Sequence, residues 1–186
     1  MMKRVLFMNI ACLMVLFAAT FTVPNPAVAA SAAEINSNAA KALKKLYAKT
    51  ASAKVLGEKA KAILVFPSIT KGGFIVGGQY GEGVLLKGGK PVAYYNTVAA
   101  SYGLQAGLQK YGYAMFFMTD SMLAYLDKSG GWELGAAPNI VVVDVGAAGG
   151  ISTTTAQSDC YAFFFNQKGL MAGIGLQGTK ITKIKK

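Results

Sequence analysis

Apolar residues recur along this chain with two different periods, and the point where the period changes divides it. Ile35, Ala39, Ala42, Leu43, Leu46 and Tyr47 return every three to four positions, which is one face of a helix. Ser31 and Glu34 stand before them at capping-box spacing, able to satisfy free N–H groups at a helix start. Lys41, Lys44, Lys45 and Lys49 fall on the opposite arc. A second, shorter helix is expected over residues 53–61, with Leu56 and Ala60 inward and Lys54, Lys59 and Lys61 outward; Gly57 weakens it. From Ala62 the pattern becomes strand-like. Residues 62–66 form an apolar run stopped by Pro67, and further strands are expected at 73–80, 83–87, 92–96, 97–109 and 111–118. Gly88-Gly89-Lys90 reads as a hairpin turn.

Thr119 or Asp120 can cap a short helix through Asp127, ended by Gly130. Residues 140–145 are a β-branched run expected near the centre of the sheet. A final hairpin is expected from strands at 161–165 and 170–176 with a turn over 166–169. Residues 181–184 suggest an edge strand whose lysines discourage further pairing. All 22 glycines lie at or beyond Gly57, mostly inside strand-like segments. Glycine there marks bulges, bends or close backbone approach. The fold class is therefore α+β, mainly β. It is a small, strongly curved, partly closed antiparallel sheet with N-terminal helices and one short helix packed on it.

The first thirty residues read differently. Lys3 and Arg4 precede a largely apolar stretch from Val5 to Val23, broken by Pro24 and Pro26 before small residues. Such a segment is a secretory signal, 1–30, with the domain proper at 31–186. Ala27-Val28-Ala29 and Val28-Ala29-Ala30 both offer cleavage, giving a mature start at Ala30 or Ser31. An uncleaved anchor and a lipoprotein start at Cys12 are the alternatives. Export implies a bacterial periplasm. Removing Lys3 and Arg4 lowers the net charge from +11 to +9, which favours anionic partners. Export makes nucleic acid the poorer candidate, leaving anionic lipid.

Chemistry by side chains is sparse. The chain has no His, the commonest general base and metal ligand. Its eight carboxylates are scattered, with no acid/base or metal spacing. Cys12 leaves with the signal, so Cys160 has no intramolecular partner and reads as a buried thiol in an apolar strand. Gly77, Gly78, Gly81 and Gly83 lack the spacing of a nucleotide loop and precede a strand. Glu82 between glycines reads as a carboxylate accepting backbone N–H bonds. No enzyme activity, cofactor or metal is expected.

Several motifs follow one another in a recognisable order. Residues 61–86 join an apolar strand, a Pro turn and a Gly-rich strand. Ser101-Tyr102-Gly103-Leu104-Gln105-Ala106-Gly107 follows, then Phe117-Met118-Thr119-Asp120, Gly131-Trp132-Glu133-Leu134-Gly135, and the pair Asp159-Cys160-Tyr161-Ala162-Phe163 and residues 168–178. Together they resemble the SYLF domain, a lipid-binding domain also catalogued as an actin-regulator family from its yeast members. The resemblance implies lipid binding, with a basic N-terminal helix used for membrane attachment in eukaryotic members. Ala93-Tyr94-Tyr95-Asn96 stands where those members carry a Trp-Ser-x-Pro turn, so head-group choice and actin binding are not carried over.

The expectation is peripheral binding of anionic phospholipid in the bacterial envelope. The residues expected to carry it are Lys41, Lys44, Lys45, Lys49, Lys54, Lys59, Lys61 and Lys71, with Trp132 as an interface anchor or a core plug. Lysines that merely solvate a packed helix, a small outer-membrane β-barrel, and a scaffold for another protein are the rival readings.

Overall fold

The computed structural model describes residues 29–127, 132–134, 140–144, 158–169 and 179–186. Helix α1 (Ala32–Lys49) begins where the cap pattern places it: the Ser31 hydroxyl accepts from the Glu34 N–H at 3.2 Å. Helix α2 (Ala51–Lys59) follows after Thr50, two residues earlier than the pattern suggests. Strand β1 (Ala62–Lys87) and strand β2 (Lys90–Phe117) then form one very long antiparallel hairpin.

Six separately expected strands thus merge into two. Pro67 bends β1 instead of ending it, because the register slips between Phe66 and Ile69 and the missing N–H falls in that irregularity. A second slip lies between Gly73 and Ile75. Lys87 pairs with Lys90, so the connecting turn is only Gly88-Gly89. Both have positive φ, 54° and 77°, which a two-residue turn of matching twist demands and glycine supplies cheaply. Gly83 is a close approach of another kind: a Cβ there would strike the Val65 carbonyl and the Phe66 ring.

The remaining elements are α3 (Asp120–Leu126), β3 (Trp132–Leu134), β4 (Ile140–Asp144), β5 (Cys160–Gly169) and β6 (Thr179–Ile184). Thr119 caps α3, accepting from the Met122 N–H. β2 is the shared strand. One edge pairs with β1 along its length; the other pairs with β6 over 94–99 and with β5 over 109–117. The order is β3-β6-β2-β5-β4, with β1 attached to β2.

Four expectations about this sheet need correction. β4 and β5 run parallel, so the sheet is not wholly antiparallel. Among the described strands β4 lies at the end of the order, not at its centre, and Val141 and Val142 are exposed; an apolar run alone does not fix a strand's place in the sheet. β6 is interior, paired with both β2 and β3, so its lysines do not guard an edge. The turn expected at 166–169 is instead part of β5, with Asn166 at φ 55°. The second strand expected there, 170–176, and the helix stop at Gly130 lie outside the described residues.

The sheet is a strongly curled half-barrel, and the fold is α+β, mainly β. Its curl is visible in one bond. The Tyr113 hydroxyl donates to Thr97 Oγ1 at 3.0 Å, although both sit on β2. A straight strand would separate them by roughly 50 Å at about 3.3 Å per residue. Their side chains meet across the concave face. Alternation then sorts the core. Leu64, Phe66, Tyr111, Tyr113, Met115, Phe117, Ala162 and Phe164 point to the concave side with Met122, Leu123 and Leu126 of α3. Val65, Val84, Ala114, Phe116, Tyr161, Phe163 and Phe165 point to the convex side, where α1 and α2 pack. Burial on both faces explains why 111–117 and 160–165 read as unbroken apolar runs. It also departs from a membrane barrel, whose outer face meets lipid and whose sheet closes on itself.

Candidate functional site

α1 is mounted on the convex face by Ile35, Ala39, Ala42, Leu43 and Leu46, all buried. Asn36 and the Tyr94 hydroxyl hydrogen-bond at 3.0 Å, tying the helix to β2. Burying each of the larger aliphatic side chains contributes roughly 1.5–3 kcal/mol. If α1 left the sheet to lay this stripe in a bilayer, Val65, Phe116 and Phe163 beneath it would meet water. The helix therefore stays docked, and its lysine face is what a partner can reach.

Lys41, Lys44, Lys45 and Lys49 are all exposed and make no ion pair among the described residues. Lys54 and Lys59 on α2 are exposed too. Lys61 is exposed but lies 3.6 Å from Asp120, a solvent-facing pair of little strength. Lys71 stands apart, half-buried on β1 opposite Gln109, between the two slips. Trp132 opens β3, remote in the pairing from α1; its side chain lies outside the described part of the structure. Of the nine expected residues, six thus share the helical cover, Lys61 adjoins it, and Lys71 and Trp132 do not.

The charge pattern did not reveal a groove beside those lysines. About 610 Å³ opens between α1, α2 and the two ends of β1. Leu43, Tyr47, Ile63 and Leu86 give it apolar walls, and Lys44, Lys54 and Glu58 stand at it. Tyr47 borders it because Gly57 of α2 leaves room: a Cβ there would meet the Tyr47 hydroxyl. Gly57, read from the sequence only as a weak point, is a space-maker. Burial, and then the nearby Glu58 charge, raise the Tyr47 phenol above its ordinary value, so it stays a neutral hydrogen-bonding group.

Two other chemical candidates are structural. Cys160 is buried, and burial with the Asp159 charge pushes its thiol up, away from thiolate. Glu82 accepts from the Ala30 N–H at 3.1 Å, as its setting between glycines suggested, and from Lys186 Nζ at 2.9 Å and the Tyr80 hydroxyl at 2.8 Å. Burial works to raise its pKa, but the bonds from Lys186 and Tyr80, the Lys186 charge and the Ala30 N–H outweigh it and hold the carboxyl below its usual value. Burial, and then the same contact with Glu82, push Tyr80 up to about 12. Among the described residues no group of three His, Cys, Asp or Glu side chains lies together, and no helix is long and apolar enough to cross a membrane.

Residues 98–186 match the family model described as Ysc84, Las17-binding protein actin regulator. Over those residues the chain is similar to this family. No curated protein matches the chain. The Ysc84 match begins within β2 and takes in β5 and β6, and leaves β1 outside. It contains the motifs at 101–107, 117–120, 131–135, 159–163 and 168–178, while the block at 61–86, α1 and α2 precede it. The Ysc84/SYLF family is lipid-binding in general.

Proposed function

We propose that this protein binds anionic phospholipid surfaces peripherally, in the bacterial cell envelope after export, through the lysine face of the docked α1 helix and the adjacent basic surface of α2. It acts as a binding protein, with no catalytic step, cofactor or nucleic-acid partner. The observation that carries the reading is the exposure of Lys41, Lys44, Lys45 and Lys49 on a helix whose apolar stripe is already used. Each lysine held near an anionic surface contributes ~1 kcal/mol, screened by salt. The apolar groove beside Lys44 and Lys54 gives a lipid tail or glycerol backbone a place to rest. The lipid-binding character of the family supports the same reading.

Sedimentation with liposomes of graded phosphatidylglycerol content tests it. Reversing Lys44 and Lys45 to Glu changes four units of charge. Binding at low salt should fall by about two to three orders of magnitude at ~1 kcal/mol per unit. Reversing Lys110 and Lys168, both exposed on sheet strands β2 and β5 and not on the helical cover, serves as the control. Equal loss in both variants reduces the effect to net charge, and no loss in either removes electrostatic attachment. The second outcome would favour the other reading, a scaffold for another protein, which the description of the family as a Las17-binding protein makes worth stating.

A further inference from the structure

We propose that processing of this chain falls between Ala29 and Ala30, and that the new Ala30 ammonium then forms an ion pair with Glu82. The sequence offers two cleavage points, after Ala29 or after Ala30. The packed structure makes full use of only one of these starts. Ala29 is exposed, whereas Ala30 is half-buried against the core under α1. Both backbone groups of Ala30 are engaged: its N–H donates to Glu82 Oε2 at 3.1 Å, and its carbonyl accepts from Lys186 Nζ at 2.8 Å. Lys186 Nζ also lies 2.9 Å from Glu82, and both side chains are only 10% exposed. One carboxylate, one ammonium and the backbone of Ala30 close a ring at the foot of α1.

Hydrolysis adds one water across the Ala29–Ala30 bond, leaving a carboxylate on Ala29 and an amine on Ala30, which protonates. Water is the co-reactant, and a membrane-bound signal peptidase is the catalyst, acting before the chain folds. After folding, the nitrogen that donated one amide N–H now carries a full charge 3.1 Å from Glu82 Oε2. Charge-assisted bonds of this kind are shorter and stronger than the amide bond they replace. Cleavage one residue later removes both contacts of Ala30. It also places the ammonium on Ser31, the residue that caps α1, where the helix N-terminus already carries partial positive charge. At Ala30 the ammonium stands one residue further from the helix and meets a carboxylate. The retained chain thus ends where the packed structure begins.

The membrane reading shares only one premise with this proposal, the export of the chain; lipid binding is not needed. The full chain, expressed with its leader in a bacterial host, is recovered from the periplasm and its intact mass measured. A mature start at Ala30 is expected; a start at Ser31, at Cys12 or an uncleaved chain overturns the proposal. On the processed protein, the rate at which an amine-reactive acylating reagent modifies the N-terminus is then compared in native and denatured protein. Native protein should react about tenfold more slowly, the effect of one pKa unit on the free-amine fraction. Glu82→Gln should restore most of that rate. If that variant does not fold, the native-to-denatured comparison in the wild type still decides, and equal rates there reject the ion pair. Loss of lipid binding with a correct Ala30 start would leave this proposal standing and remove the other.

Discussion

Both faces of the sheet are covered by helices, but they treat polar atoms differently. The convex face under α1 and α2 is almost entirely aliphatic and phenyl: Leu46, Leu56, Val65, Val84, Phe116 and Phe163 meet there, and Tyr161 turns its hydroxyl outward to the Ser158 N–H. The concave face carries hydroxyls inward. Tyr111 donates to Gln79 at 2.6 Å, Gln79 donates on to Thr179 at 3.2 Å, and Tyr113 donates to Thr97. Tyr95 donates to Asp127 at 2.7 Å, just beyond α3. Hydrophobic contact is non-directional, so the dry face supplies adhesion without dictating register. Hydrogen bonds are directional, and the bridges between β1, β2 and β6 on the wet face fix which residues lie opposite one another. Burial pushes the Tyr111 phenol up to about 12 and Tyr113 still higher, so both remain donors across the physiological range.

Removing bulk from the dry face should do the most damage. Phe163→Ala leaves a cavity between β5 and the helices, and a loss of about 3–5 kcal/mol is expected from urea unfolding. The wet face should respond in a different manner. Tyr113→Phe keeps the ring stack on Phe66 but strands the Thr97 hydroxyl, costing about 1–3 kcal/mol. Adding Thr97→Val should recover much of that cost, since the pair is then apolar on both sides. Full additivity of the two losses would show that the bond does not couple them and would break the contrast between the faces.

The rim of the dry face should show itself in acid. Glu82 has a depressed folded pKa, so its contribution is fully present above its unfolded value near 4.3 and is lost as pH falls through the lower folded value. Wild type should exceed Glu82→Gln in stability at pH 7, and the gap should close toward pH 2. A constant gap would mean that charge plays no part. The smallest effect belongs to the wet face's outer edge. Lys183 lies 3.4 Å from Asp127 in an exposed pair, and Lys183→Ala should cost less than about 1 kcal/mol in thermal unfolding and vanish in high salt.

Local signals were readable in the sequence where local physics decides. The Ser31 cap, the Gly88-Gly89 turn, the buried Cys160 and the N–H-accepting Glu82 each follow from neighbours a few residues away. The merging of six expected strands into two did not, because Pro67 and the glycines look like stops until a partner strand absorbs them as slips in register. The place of β4 at the end of the described strand order and the interior position of β6 depend on pairings far apart in the chain. The lysine face of α1 was legible from period alone, but the groove beside it was not. Its Tyr47 wall depends on Gly57, which lets Tyr47 lie against α2, a contact between two helices that no single-helix pattern encodes. The link from Lys186 to Glu82, 104 positions apart, left no trace in spacing.

The bond from Tyr113 to Thr97 spans its own strand as a tie rod spans an arch. It holds the convex side in a crown, and α1 runs over that crown. A rigid arch set on a plane touches it at the summit alone. On a flat bilayer at physiological salt, where charges act over about 8 Å, only the lysines on the summit would count, and the rest of the protein's positive charge would stand too far off. The salt dependence of attachment should then report the small number of cations on the helical cover and not the net charge of the chain.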